Sequence, residues 1–136
     1  MIIPHYYEDP HMLHENTMPN RAYYVPASKW MDNLIEHREQ SDRLQSLNGN
    51  WKFRYYESIY DLQDEFYKTD YPVEEYDTVP VPGVWQNYGY EPHQYIESDY
   101  PFPVNPPYVP LDNPCGAYIH KFPYKTNADA PKVYLE

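Results

Sequence analysis

The 136-residue sequence has one cysteine, four glycines and no long apolar run. The single thiol, Cys115, excludes an intrachain disulfide framework and is typical of a reducing compartment. No run approaches the ~20 apolar residues that a membrane-spanning helix needs. The first residues also lack the basic start and apolar stretch of a secretory signal peptide. These absences predict a soluble, cytoplasmic protein.

Positive charge is also scarce, with 10 basic residues against 21 acidic ones and a net charge of −11. A nucleic-acid-binding surface needs cationic side chains that displace counterions from phosphate. Attraction to an anionic membrane also needs positively charged side chains. The composition therefore predicts neither nucleic acid nor a membrane as a partner.

Tyrosine and proline are abundant instead, at 18 and 16 residues, and 18% of the chain is aromatic. Disordered segments are poor in aromatic residues, and this length is enough for one domain with a sizeable core. We therefore expect a folded domain of irregular β structure.

Residues 79–116 combine many prolines with many aromatic side chains. Each proline removes a backbone donor and restricts its predecessor, which excludes a helix. The aromatic side chains carry too much apolar surface for a flexible linker. They are Trp85, Tyr88, Tyr90, Tyr95, Tyr100, Phe102 and Tyr108. The segment predicts a long, rigid loop packed on a β scaffold, and such loops commonly build sites.

The clearest strand pattern begins after Asn50, where side chains alternate between two faces. The faces carry Trp51, Phe53 and Tyr55 on one side, and Lys52, Arg54 and Tyr56 on the other. We interpret Trp51 as a core residue. Shorter strands are predicted at 78–81 and at 117–122, the latter with Tyr118, His120 and Phe122 on one face.

Two further elements are predicted around this sheet. Ser58 is a candidate N-cap for a short helix or helical turn over 59–67, with Asp61 three residues on. Residues 132–136 have the composition of a third strand, which stops at the last residue.

Several motifs occur in an order and spacing that resemble a known family. They are Leu47–Phe53 (Leu-Asn-Gly-Asn-Trp-Lys-Phe), Val81–Gln86 (Val-Pro-Gly-Val-Trp-Gln), Tyr100–Pro103 (Tyr-Pro-Phe-Pro) and Asn113–Tyr118 (Asn-Pro-Cys-Gly-Ala-Tyr). Together they resemble the N-terminal region of the long β-galactosidases of glycoside hydrolase family 2. The resemblance implies an all-β fold, an incomplete jelly-roll-type, galactose-binding-like β-sandwich with one short helix. Residues 1–45 would be an extended N-terminal arm and interface segment, and residues 46–136 a partial sugar-binding domain cut off within a strand.

The resemblance also implies a function. Enzymes of this family hydrolyse terminal non-reducing β-D-galactose from β-galactosides with retention, a reaction that needs two carboxylates about 5–5.5 Å apart. The family's catalytic glutamates belong to a barrel domain downstream, so no catalytic residue is predicted here and the chain alone should be inactive. We expect no cofactor or metal site on it, because the family's divalent and monovalent metal ions bind elsewhere. The implied partners are the remainder of the enzyme, further copies of it in a homo-oligomer, and the β-galactoside.

One candidate substrate-binding residue follows from the resemblance. Related enzymes commonly carry Gln-Tyr-Thr-Asn before Tyr-Pro, and that asparagine hydrogen-bonds the galactosyl unit. Here Glu97 stands at its position. An ionised glutamate accepts hydrogen bonds but cannot donate them, so Glu97 either alters galactoside binding or lies on an exposed loop.

Other candidates have simpler interpretations. The acidic pairs at 61–65 and 74–75 are typical of solvated faces. Trp85 and nearby tyrosines form either a sugar-stacking platform or the core of their own loop, and the second is favoured. Cys115 is expected to be a packed thiol. Adventitious metal binding, or none, is expected at the cluster of His5, His11 and His14 with Glu8, Asp9 and Glu15, since the spacing matches no closed site.

Two further interpretations of the chain stay open. It could be a non-catalytic fragment that docks its arm and exposed strand edges on a separately made remainder of the enzyme. It could also be an incomplete gene product.

Overall fold

The computed structural model describes residues 4–93 and 103–136. Three strands form one antiparallel sheet in the order β2-β1-β3: β1 is Gly49–Tyr56, β2 is Asp77–Val81 and β3 is Cys115–Ile119. The helical elements of the described residues are short 3₁₀ turns, at Tyr6–Glu8, Arg38–Gln40, Ile59–Asp61 and Trp85–Tyr88. The all-β class predicted from the sequence is confirmed. Within the described residues, these turns include none with the length and apolar character to cross a bilayer.

The central strand β1 pairs with both others. Trp51 lies opposite Val79 on β2, and Phe53 lies opposite Tyr118 on β3. Phe53 is fully buried, and its ring centroid lies 4.6 Å from that of Tyr118 and 4.8 Å from that of Tyr90. The period-two pattern of the sequence therefore places the expected residues on this face.

The opposite face of the sheet is also covered. Tyr56, Leu62, Tyr76 and Ala117 form a buried apolar cluster there. The Tyr56 hydroxyl donates to Asp64 Oδ2 at 2.7 Å, which satisfies its polar end inside the cluster. Burial and hydrogen bonding to Tyr76 and Asp64 raise the pKa of Tyr56, so it stays protonated at neutral pH.

The chain forms two compact units. The first contains the sheet and combines Met1–Met18 with Gly49–His120, and the second combines Pro19–Asn48 with Lys121–Glu136. In the second unit, the Ser28 N–H donates to Asp42 Oδ1 at 3.0 Å, and the Gln45 amide donates to the Pro123 carbonyl at 3.0 Å. The domain boundary predicted at residue 45 stays a prediction.

Two sequence predictions about helix and burial need correction. The helical turn predicted over 59–67 is confined to Ile59–Asp61, although Ser58 does cap it by accepting the Tyr60 N–H at 3.3 Å. The Leu62 backbone, with ψ 88°, leaves the helical conformation, and its side chain is buried in the core. Trp51 is half-buried rather than core, and its ring stacks on His120 with centroids 4.9 Å apart, whereas the ring of Trp85 packs on the buried Phe53.

The strand predictions are right in two places and wrong in one. The strand predicted at 78–81 appears as β2, which begins one residue earlier, and the strand predicted at 117–122 appears as β3, which begins two residues earlier and ends three residues earlier. Residues 132–136 form no strand, and Val133, Tyr134 and Leu135 are exposed. A strand needs a hydrogen-bonded neighbour, and no described strand pairs with these residues.

Candidate functional site

The best-formed candidate site is the loop that leaves β2, residues 82–93. Its 3₁₀ turn Trp85–Tyr88 begins after Val84 and ends at Gly89, which has φ +84°. Glycine reaches this left-handed conformation without steric cost and commonly closes a helical turn. The Gly89 N–H donates to the Gln86 and Trp85 carbonyls.

The aromatic side chains of this loop pack on the buried face of β1. The Trp85 ring stacks on Phe53 at 6.4 Å and meets Tyr55 edge-on at 5.9 Å. Tyr90 meets Phe53 edge-on at 4.8 Å and stacks on Tyr55 at 6.1 Å. Such pairs add stabilisation beyond the area that they bury. Residues 82–93 are therefore the packed loop that the sequence predicts, and these contacts support the interpretation of Trp85 as loop core.

One carboxylate organises the polar side of the same turn. Glu91 Oε2 accepts the Trp85 indole N–H at 2.8 Å and the Gln86 side-chain amide at 2.9 Å. Hydrogen bonds to a charged acceptor are stronger than neutral ones. Glu91 therefore holds the orientation of both side chains. Sequence reasoning missed this residue, since only the fold shows that the carboxylate reaches back across the turn.

Two tyrosine hydroxyls tie the loop to the strand before it. Tyr88 donates to the Pro80 carbonyl at 2.9 Å, and Tyr90 donates to Asp77 Oδ2 at 2.8 Å. Burial, followed by the hydrogen bond to Asp77, raises the pKa of Tyr90 to about 12. The Tyr90 hydroxyl therefore remains a hydrogen-bond donor at neutral pH.

A second stretch of the long loop, residues 103–114, is contacted by Glu8. Glu8 Oε1 accepts the Val109 N–H at 3.2 Å, while Glu8 Oε2 lies 2.9 Å from His5 Nδ1. The contact with His5, followed by the Val109 N–H, lowers the pKa of Glu8. The Ser58 hydroxyl also donates to the Leu111 carbonyl. Glu8 and Val109 thus join two distant segments within the first compact unit.

The sequence-predicted substrate residue Glu97 lies outside the described residues, as do Tyr95, Tyr100 and Phe102. The function assigned to Glu97 stays a prediction.

The remaining candidates are placed as follows. Glu74 and Glu75 are exposed, as expected of solvated acids. Asp64 differs, because it accepts from Tyr56 and pairs with Arg54 at 3.1 Å. Sequence reasoning did not detect this network, whose members come from separate segments.

The thiol and the histidine cluster offer little reactive chemistry. Cys115 opens β3 and is half-buried, and burial, followed by repulsion from Asp61, raises its pKa. A protonated thiol is a poor nucleophile. His11 and His14 are exposed. Over residues 4–93 and 103–136, no three His, Cys, Asp or Glu side chains meet in a group able to hold a metal ion.

A family comparison agrees with the motifs of the long loop and of β1. Residues 44–130 match the model described as the sugar binding domain of glycosyl hydrolases family 2. The chain belongs to glycoside hydrolase family 2. The matched range of this family 2 chain contains all three strands and the loop at 82–93.

Curated relatives of this family 2 chain are β-galactosidases. The sequence is 44% identical over 118 residues to the β-galactosidase of Actinobacillus pleuropneumoniae. This match covers 87% of this chain and 11% of the relative. It is 41% identical over 123 residues to the β-galactosidase of Staphylococcus xylosus, a match that covers 90% of this chain and 12% of the relative. With the β-galactosidase of Pectobacterium atrosepticum the identity is 40% over 107 residues, and the match covers 78% of this chain and 10% of the relative. The chain spans about a tenth of the length of these relatives.

Proposed function

We propose that this chain is the N-terminal sugar-binding domain of a β-galactosidase that removes terminal non-reducing β-D-galactose from β-galactosides with retention. The observation that carries the proposal is the identity of 40–44% to β-galactosidases over most of the chain. The match to the family 2 sugar-binding model supports it independently.

In this proposal the domain frames the substrate pocket and breaks no bond. The braced turn at 85–91 supplies a stiff wall, because both its aromatic and its polar side chains are already engaged. Retaining hydrolysis needs a nucleophile and an acid/base carboxylate about 5–5.5 Å apart. We assign both carboxylates, and any metal ions of the enzyme, to the part of the enzyme that corresponds to the nine-tenths of the relatives not covered by this chain. Assembly into a homo-oligomer is part of the same proposal.

The test joins the chain to the missing part of an enzyme. The 136 residues are fused to a β-galactosidase from which the matching N-terminal region has been removed, and hydrolysis of a chromogenic β-galactoside is measured. We expect turnover from the fusion and none from the purified chain. A fusion carrying Phe53→Ala is the matched control, because it disrupts the core and should restore little activity. Turnover that purifies with the isolated chain, or an inactive fusion, would contradict the proposal.

A second candidate is a complementing fragment that acts without covalent linkage. The second compact unit favours it, since Trp30 and Ile35 are 89% and 82% exposed. Exposed apolar side chains of this size are common at protein interfaces. Adding the separate chain to the truncated enzyme distinguishes the two: restored hydrolysis supports complementation, and activity from the fusion alone supports the covalent domain.

A further inference from the structure

A small cleft lies beside the turn that Glu91 braces. Its volume is about 280 Å³, and it is lined by Val84, Gln86, Glu91, Pro92 and His93. Small-molecule pockets typically measure about 300–1,000 Å³. This cleft lies just below that range, which suits a single sugar ring rather than an oligosaccharide.

The polar groups around the cleft match the chemistry of sugar hydroxyls. A hydroxyl group donates one hydrogen bond and accepts others, so it pairs well with a carboxylate, an amide and an imidazole. Glu91, Gln86 and His93 supply one of each. Val84 and Pro92 provide apolar surface, which suits the C–H face of a pyranose.

The carboxylate is preorganised for such contacts. Glu91 Oε2 is fixed by the Trp85 and Gln86 donors, whereas Oε1 receives no hydrogen bond from the described residues. Because the side chain is already held in place, a ligand that binds Oε1 does not have to order it. The Trp85 indole N–H donates to the same carboxylate, so its NMR signal should shift when a ligand binds Glu91.

The charge of the site selects among sugars. A carboxylate at the cleft and a net charge of −11 repel acidic sugars and sugar phosphates. A divalent cation usually takes four or more protein and water ligands, and the described residues of this cleft supply one carboxylate and one imidazole.

We propose that the cleft between Gln86, Glu91 and His93 binds one neutral pyranose ring. The choice of a galactoside as its ligand rests on the proposed function. The cleft lies on the domain itself, so binding is expected from the 136-residue chain without any catalytic residue.

The test is a ¹H–¹⁵N NMR titration of the full chain with methyl β-D-galactoside. The chain has three tryptophans, so it offers three indole N–H signals. We expect saturable shifts of the Trp85 indole and the Gln86 side-chain amide, while the indole signal of exposed Trp30 stays in place. Galacturonate, the acidic analogue, should bind at least about tenfold more weakly, because its carboxylate meets Glu91.

Two variants test the assignment. His93→Ala and Glu91→Gln should each raise the Kd about tenfold, the typical effect of losing one hydrogen bond to or from a charged or strongly polar group. Since His93 is exposed, its removal should leave the fold intact even if Glu91→Gln does not fold. Glu75→Gln, an exposed glutamate away from the cleft, is the matched control and should leave the Kd unchanged.

The outcomes separate this inference from the proposed function. A flat titration, equal affinity for galacturonate, or a Kd unchanged by His93→Ala would overturn the cleft assignment. A flat titration counts against the cleft even when the Trp85 indole signal has the chemical shift of an unfolded chain. If the fusion enzyme is active and the titration is flat, only the cleft assignment fails. If the titration saturates as expected and the fusion is inactive, only the proposed function fails.

Discussion

At the scale of single residues, Phe53 connects the sheet to the candidate site. It is 0% exposed and contacts Trp85 and Tyr90 of the loop as well as Tyr118 of β3. The placement of the loop therefore depends on the same side chain that fills the core.

Replacing Phe53 by alanine should be the most destabilising single change on this face. A buried Phe→Ala substitution costs about 3–5 kcal/mol, against a total stability of about 5–15 kcal/mol for a typical domain. Urea unfolding followed by tryptophan fluorescence measures the loss. Leu111→Ala, at a residue 74% exposed, is the control and should change stability by less than about 0.5 kcal/mol. Equal effects from the two variants would contradict the assignment of the core.

Glu97 is the residue whose prediction depends on the resemblance alone. In an active fusion enzyme, Glu97→Asn should raise kcat/KM for galactosides. Asparagine restores a donor, and it removes a charge that would raise the proton affinity of nearby catalytic carboxylates. Steady-state kinetics measures the change, with Glu75→Gln as the control for loss of an acidic charge. An unchanged or lower kcat/KM would show that position 97 does not contact the sugar.

At the scale of elements, the strands show which sequence signals are reliable. Alternation predicts β1 well because Phe53 is buried on one face, whereas the polar Arg54 of the other face is exposed. Tyr56 shares the face of Arg54 and is also buried, since a second apolar cluster covers that end of the strand. The network at Asp64 joins residues of separate segments, and the brace at Glu91 depends on how one loop folds back on itself. No spacing rule reveals such partners. Residues 132–136 have the composition of a strand, but no described strand pairs with them, so the strand predicted there does not form.

The pairing of β1 with β3 requires a glycine at position 116. Gly116 lies opposite Tyr55, and a Cβ added to it would overlap the Phe53 ring. Gly116→Ala should therefore destabilise the chain by about 1–3 kcal/mol, the usual cost of overpacking a core.

A double-mutant cycle checks this explanation. In a Phe53→Leu background, the smaller side chain removes the overlap, so Gly116→Ala should cost less than it does in the unaltered chain. Urea unfolding measures all four proteins. Additive effects would show that the two residues do not compete for the same space.

The contact between Glu8 and the Val109 N–H should depend on pH. Because the folded state lowers the pKa of Glu8, its contribution is present above the ordinary glutamate value of about 4.3 and is lost as the pH falls through the folded value. Hydrogen-exchange protection of the Val109 N–H, its backbone donor, should therefore decrease in acid.

The Glu8→Gln variant isolates this effect. Its Val109 protection should be low at neutral pH and should change little on acidification. Glu65→Gln, which removes an exposed partner of Lys68, serves as the control for loss of a carboxylate. Protection at Val109 that is the same in acid and at neutral pH in the unaltered chain would contradict the prediction.

At the scale of the whole molecule, the sequence predicts the class and the family better than the site. The motifs of β1 and the long loop suffice for both, and the family match over residues 44–130 agrees with them. The division into two compact units was not visible in the sequence, because each unit joins segments that are distant along the chain.

The position of β1 at the centre of the sheet has a consequence for synthesis. Its partners both follow it, and β3 begins only at Cys115, 59 residues after β1 ends at Tyr56. At ribosomal speeds of about 5–20 residues per second, β1 waits roughly 3–12 s for its second neighbour. During that interval one edge of the nascent strand, with its aromatic residues, is open to other chains, so chaperone occupancy should be highest just before β3 emerges.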